Sequence, residues 1–263
     1  DSLAVTNLPI VNENSTRGTN RPLAGGDSVA ALSGAGLMLV GAALYTSVGH
    51  AGASSYIALM ALFGLSPAVM RPTALVLNIL AAGFTSFRFV RAGLFSWRTL
   101  WPFLIGAVPM AFLGGAIQLP GQYYRPLVGV VLLLAAIRLL WPSRFRAFDE
   151  AREVPVAIGV MAGLCIGLLS GLTGTGGGIF LSPLLLLMGW SEPRTASGVA
   201  AVFILCNSVS GLLGNFSQVG QLPAQLPLFA AAVLLGAVIG TTLGIHRFAN
   251  AQILKALGLV LLV

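Results

Sequence analysis

Apolar residues come in long runs along this chain, broken by brief polar punctuation, and that rhythm predicts membrane helices. From Ser28 onward the runs cover residues 28–48, 56–65, 68–90, 100–117 and 125–141, then 155–173, 179–190, 196–216, 226–245 and 253–263. A helix needs about 20 residues to cross the hydrocarbon core, and most of these runs suffice. Residues 56–65 and 179–190 are too short to cross alone, and 253–263 is also short. Residues 1–27 are rich in Asn, Thr, Gly and Ser, hold no sustained apolar period, and read as a flexible polar tail.

The two sets of runs resemble each other. Gly49-His50-Ala51-Gly52-Ala53-Ser54-Ser55 precedes the first short segment, and Gly171-Leu172-Thr173-Gly174-Thr175-Gly176-Gly177-Gly178 precedes the second. Each short segment closes on Gly-apolar-Ser (Gly64-Leu65-Ser66 and Gly189-Trp190-Ser191), with Pro67 and Pro193 close behind. An internal duplication of about 125 residues accounts for this order. The expected organisation is a tail (1–27), a first transmembrane repeat (28–141), a charged cytoplasmic linker (142–154) and a second transmembrane repeat (155–263). Five crossings per half would make the repeats inverted, as in many secondary transporters. If each short segment is instead a re-entrant hairpin, there are eight spans and the repeats are parallel.

Composition agrees with the membrane reading. The chain is 57% hydrophobic and only 8% charged, with a mean hydropathy of +0.93. A soluble domain carries about 25% charged residues to wet its surface. The net charge of +7 does not point to nucleic acid, because the Arg residues are scattered at the ends of apolar runs and form no basic stripe. They serve topology instead. Arg88, Arg91 and Arg98 flank one loop, and Arg138, Arg144, Arg146 and Arg152 mark the linker, while 118–124 and 217–225 carry no Lys or Arg. Arg-rich loops inside and both termini outside fit this distribution, with Arg71 as the main exception. Trp97, Trp101, Trp141 and Trp190 lie at segment ends, where an aromatic belt belongs. Cys165 and Cys206 sit within apolar runs and read as small core residues, with neither metal nor disulfide spacing.

The glycine-rich breaks are where chemistry is expected. Non-helical chain at membrane depth must be buried in protein or line a watery cavity. A broken helix also bares N–H groups and a positive dipole end, both suited to an anion. The candidate substrate-binding residues are Gly52, Ser54 and Ser55 at the first break, and Thr173, Gly174, Thr175, Gly176, Gly177 and Gly178 at the second. Arg71, Asn78 and Asn207 join them as polar positions beside or within apolar helices. Arg71 either meets an anion or snorkels to the interface; Asn78, Asn207 and Ser208 either meet substrate or bond between helices. His50 is the candidate for coupling a proton to transport, its alternative being a neutral ring bonded to a carbonyl; Leu172 is its expected counterpart in the second half. Gly114-Gly115 and residues 236–240 read as close helix packing. All seven acids lie in the tail, the linker or a loop, which disfavours carboxylate relays and cation sites. No metal, cofactor or enzymatic constellation is expected.

From Gly171 to Gly178, on through Ile179-Phe180-Leu181-Ser182-Pro183-Leu184-Leu185-Leu186-Leu187-Met188-Gly189, and again at Arg194-Thr195-Ala196-Ser197-Gly198, the sequence resembles the TauE/SafE sulfite exporter family of bacterial membrane proteins. The first break and Met70-Arg71-Pro72-Thr73-Ala74 share the likeness. The resemblance implies a transporter of small anions, often sulfur-containing, such as sulfite or sulfonates. The expected protein is therefore an all-α, polytopic secondary transporter of the cytoplasmic membrane. Its partners would be a small anionic substrate, the lipid bilayer and a coupling proton or sodium ion. An anion channel using the same helix ends is the alternative.

Overall fold

A computed structural model describes residues 25–140 and 152–246. Among these the regular elements are all helical: α1 (Gly25–Ser47), α2 (Ala53–Leu62), α3 (Pro67–Arg91), α4 (Trp97–Ala116), α5 (Gly121–Leu140), α6 (Val156–Thr173), α7 (Gly178–Leu187), α8 (Pro193–Gly214), a 3-10 turn (Phe216–Gln221) and α9 (Leu226–His246). Most of the tail, most of the linker, Trp141 and the last apolar run, 253–263, lie outside the described residues.

Helix ends follow local chemistry. Pro67 and Pro193 open α3 and α8, where a missing N–H costs nothing. Ser96 accepts from the backbone N–H of Thr99 at 3.3 Å to cap α4. Gly64 and Gly189 turn left-handed (φ +74° and +67°) just beyond α2 and α7. These two helices are ten residues each, about 15 Å long and so half the hydrocarbon thickness. Five of the described helices are long and apolar enough to cross a membrane: α3, α4, α6, α8 and α9. Large apolar side chains such as Leu37, Ile105, Phe112, Met161 and Leu235 stand exposed on the outside. A surface of this kind is stable against lipid, and the protein is a polytopic membrane protein.

Glycine seams hold the long helices together. A side chain at Gly163, Gly167 or Gly171 of α6 would strike the carbonyls of Phe103, Ala107 and Ala111 on α4. Gly236, Gly240 and Gly244 of α9 lie equally close to the carbonyls of Leu39, Ala43 and Ser47 on α1. Gly115 lies against Gly211, so the packing role expected for Gly114-Gly115 and 236–240 is what the structure shows. Van der Waals contact between backbones supplies the attraction, since lipid tails offer helices no hydrophobic reason to associate.

The same contacts give directions. Residue numbers rise together along α4 and α6 and along α1 and α9, so each pair is parallel. Between α3 and α8 they run oppositely: Leu75 faces Gly211, Asn78 faces Ser208 and Gly83 faces Leu205, so these helices are antiparallel. At one end Arg98 pairs with Glu153 at 3.2 Å, joining the start of α4 to the end of the linker. At the other, Gln118 donates to Ser217 at 3.3 Å. The Arg-bearing and Arg-free loops thus occupy opposite ends of α4.

Two apolar clusters form the core. Tyr56, Ile57 and Met60 bring α2 into the first; Leu181 and Leu185 bring α7 into the second. Helix α8 serves both, through Ile204 in the first and Phe203 in the second. Trp190 corrects one expectation. It is 6% exposed, its ring 6.1 Å from that of Phe103, and belongs to the core rather than to an aromatic belt.

Candidate functional site

The second break is built from left-handed glycines. Helix α6 ends at Thr173, Gly174, Gly176 and Gly177 take φ of +82°, +78° and +77°, and α7 starts at Gly178. L-residues with side chains lose roughly 1–2 kcal/mol in that conformation, which accounts for the glycine run. Gly177 caps α7 without any side chain to accept from its first N–H groups.

Polar side chains surround this bare helix start. A methyl at Gly176 would lie 2.8 Å from the Asn78 amide nitrogen and 3.2 Å from the Ser208 hydroxyl. Asn78 donates to Ser208 at 3.4 Å, and its carbonyl oxygen has no partner among the described residues. Ser170 packs against Gly177 with its hydroxyl unpartnered among the described residues. Asn207, fully buried, has neither amide atom paired among the described residues. It shares a stripe of α8 with Phe203, which abuts Gly177, and with Gly211, which abuts Gly171.

The first break repeats the geometry in part. Gly49 and Gly52 are left-handed (φ +80° and +98°), and α2 begins at Ala53 with no capping side chain. Ser54 and Ser55 therefore occupy the first turn of α2, not the break itself. Ser55 donates to the Gly52 carbonyl at 2.8 Å, and Tyr56 donates to that of Ala51 at 2.5 Å. Helix starts and left-handed glycines both set the offset between halves at 125 residues, Ala53 to Gly178 and Gly49 to Gly174. His50 then corresponds to Thr175, not Leu172. Thr175 lies 2.9 Å from the hydroxyl of Thr173, the last residue of α6, which itself donates to Leu169 at 2.7 Å.

The breaks meet through His50. Its Nε2 lies 3.2 Å from the carbonyl of Gly178, the first residue of α7. Arg71 is placed quite differently from an interfacial side chain. It is 5% exposed, and its guanidinium donates to the carbonyls of Gly171 (3.0 Å), Ile117 (2.8 Å), Gly115 (2.7 Å) and Gly114. Those carbonyls end α4 and α6, so a fixed positive charge sits where two negative helix ends converge. Tyr124 completes the clasp by donating to Thr173 at 2.9 Å. Its burial explains why Arg71 stands apart from the Arg-rich loops.

Of the expected residues, the structure gathers Gly176, Gly177, Gly178, Asn78 and His50 closely, with Asn207 one helical turn away along α8. Arg71 touches Gly174 through its stem while its donors are engaged elsewhere. Ser170 and Tyr124 were not legible from sequence: single hydroxyls in apolar helices carry no spacing signal. Among the described residues no three His, Cys, Asp or Glu side chains converge.

Residues 34–263 match the family described as sulfite exporter TauE/SafE. The chain belongs to that family. Among curated relatives, "Probable membrane transporter protein y4hK" of Sinorhizobium fredii is 37% identical over 221 residues, covering 83% of this chain and 89% of the relative. "Probable membrane transporter protein YjnA" of Bacillus subtilis is 25% identical over 223 residues, covering 78% and 85%. No solved structure matches. Membership of the TauE/SafE family places the chain among multi-pass membrane transporters acting on small substrates.

Proposed function

We propose that the chain is a secondary transporter of the bacterial cytoplasmic membrane that carries a small, sulfur-containing anion, such as sulfite or a sulfonate, by alternating access. One observation carries this reading: the uncapped start of α7 is faced by buried Asn78, whose carbonyl oxygen lacks a partner among the described residues, and by Ser170, whose hydroxyl lacks one there too. The unpaired amide of Asn207 lies one turn along α8 from the Phe203 that abuts Gly177. Buried polar groups are normally paired. Neutral donors beside a helix N-terminus suit an anion, and no helix from α2 to α9 carries a carboxylate that would draw a cation. The name of the family points to sulfite.

The antiparallel pairing of α3 with α8, each the third helix of its half, supports inverted repeats of five segments. Eight spans with parallel repeats would align these two helices. Inverted halves rocking about the α2 and α7 starts would expose the site to either side in turn.

Uptake of radiolabelled sulfite and sulfonate into proteoliposomes tests the reading, with Gly177→Leu as the site variant. Saturable flux with counterflow is expected from the wild type, and little from the variant. Equal uptake by both would remove the site, and flux without counterflow would favour a channel.

A further inference from the structure

The ring of His50 joins backbone oxygens of the two halves. Nδ1 lies 3.2 Å from the carbonyl of Val48, and Nε2 lies 3.2 Å from that of Gly178. Carbonyls only accept, and a neutral imidazole has a single N–H. In the neutral ring one contact is a hydrogen bond, while the other sets a nitrogen lone pair against an oxygen lone pair. The imidazolium donates to both.

An imidazolium here would need a counter-ion. Tyr45 of α1 stands edge-on to the ring at 6.5 Å, and Tyr56 of α2 spends its hydroxyl on Ala51. Helix α7 carries no titratable residue. Helix α8, whose Ser197 backs Gly49, offers exposed Arg194 and half-buried Cys206. None of these supplies negative charge at neutral pH. A bare charge at membrane depth is expensive. An anion held at the start of α7, where Gly178 is the residue His50 reaches, would neutralise it.

We propose that His50 is a proton-binding site that couples anion transport to proton movement by fastening the first break to the second. The inference rests on the anion reading. With the proton bound both contacts are hydrogen bonds, so the Gly178 bond between halves no longer depends on which tautomer the ring holds. The anion offsets the charge, and each favours the arrangement that holds the other. Such reciprocity is what coupling between two sites requires. Thr175, the counterpart of His50, carries no titratable proton in this range, so this position binds at most one proton per cycle.

A sulfonate is the right probe, because it stays fully ionised between about pH 5 and 8, where histidine titrates. Methanesulfonate uptake is measured in proteoliposomes with and without an inward acid gradient, alongside a trapped pH indicator. The wild type is expected to take up methanesulfonate roughly fivefold faster or more with the gradient, with proton entry in step. His50→Gln, which keeps an amide donor but cannot gain a proton, is expected to show a methanesulfonate-induced thermal shift that no longer grows with acid, and to lose both the stimulation and the proton signal. Undiminished stimulation in His50→Gln, or wild-type uptake without proton entry, overturns the inference. The wild-type proton count can still overturn the inference if the variant fails to fold. Wild-type protein that neither moves nor is stabilised by any sulfonate removes the anion reading, and this inference with it.

Discussion

The Nε of Arg71 donates to the carbonyl of Gly171 at 3.0 Å, tying the start of α3 to the last turn of α6 across 100 residues of chain. The rest of the guanidinium takes up the end of α4. Removing it leaves several carbonyls without donors at a depth where lipid provides none. Arg71→Ala is expected to cost about 3 kcal/mol, a fall of roughly 6–12 °C in the thermal midpoint of detergent-purified protein. Arg71→Lys should recover less than half, because a point ammonium cannot span a fork of acceptors. A wild-type midpoint for Arg71→Ala would show the clasp to be idle.

Gly167 and Gly129 make an internal comparison. A side chain at Gly167 enters the α4 backbone, whereas one at Gly129 meets nothing within 4 Å. Gly167→Val should force α4 and α6 apart and abolish the monodisperse peak in size-exclusion chromatography. Gly129→Ala should elute as wild type. Equal behaviour of the two would contradict the parallel seam.

Gly176→Ala combines two penalties. The residue is left-handed at φ +78°, and the new methyl would crowd the Asn78 amide. Backbone strain alone costs about 1–2 kcal/mol. Transport should fall more than stability does, which paired flux and melting measurements would reveal. Loss of both in proportion would make the glycine purely structural.

Asn207→Leu separates folding from function. Its amide is fully buried with neither atom paired among the described residues, so an apolar replacement of similar size removes an unmet demand. The variant should melt at or above the wild-type temperature yet lose the stabilisation that sulfite or methanesulfonate confers. A marked drop in melting temperature would mean the amide is satisfied in the working protein.

Topology can be read chemically. Gln118 and Ser217 share one end of the bundle, and Arg98 and Glu153 share the other. In a background without Cys165 and Cys206, cysteines at Gln118 and Ser217 should react with an impermeant maleimide from one side of the membrane. Cysteines at Arg98 and Glu153 should react from the opposite side. Labelling of Gln118 and Arg98 from the same side would break the assignment.

What the sequence determined by itself is what depends on neighbours along the chain and on the solvent. The scarcity of charge demanded lipid. Pro67, Pro193, Gly64 and Gly189 placed helix ends within a few residues, because a missing N–H or a left-handed turn acts locally. The glycine breaks were legible for the same reason. Register within them was harder to read, because the runs differ in glycine spacing; the φ angles extend to His50 and Thr175 the 125-residue offset already visible between Gly64 and Gly189. The tertiary structure alone decided the rest. It carried Arg71 into a clasp instead of an interface, buried Trp190 against Phe103, and set His50 against Gly178. Each outcome depends on which distant helix arrives, and a polar residue in an apolar run carries no record of the partner that will satisfy it.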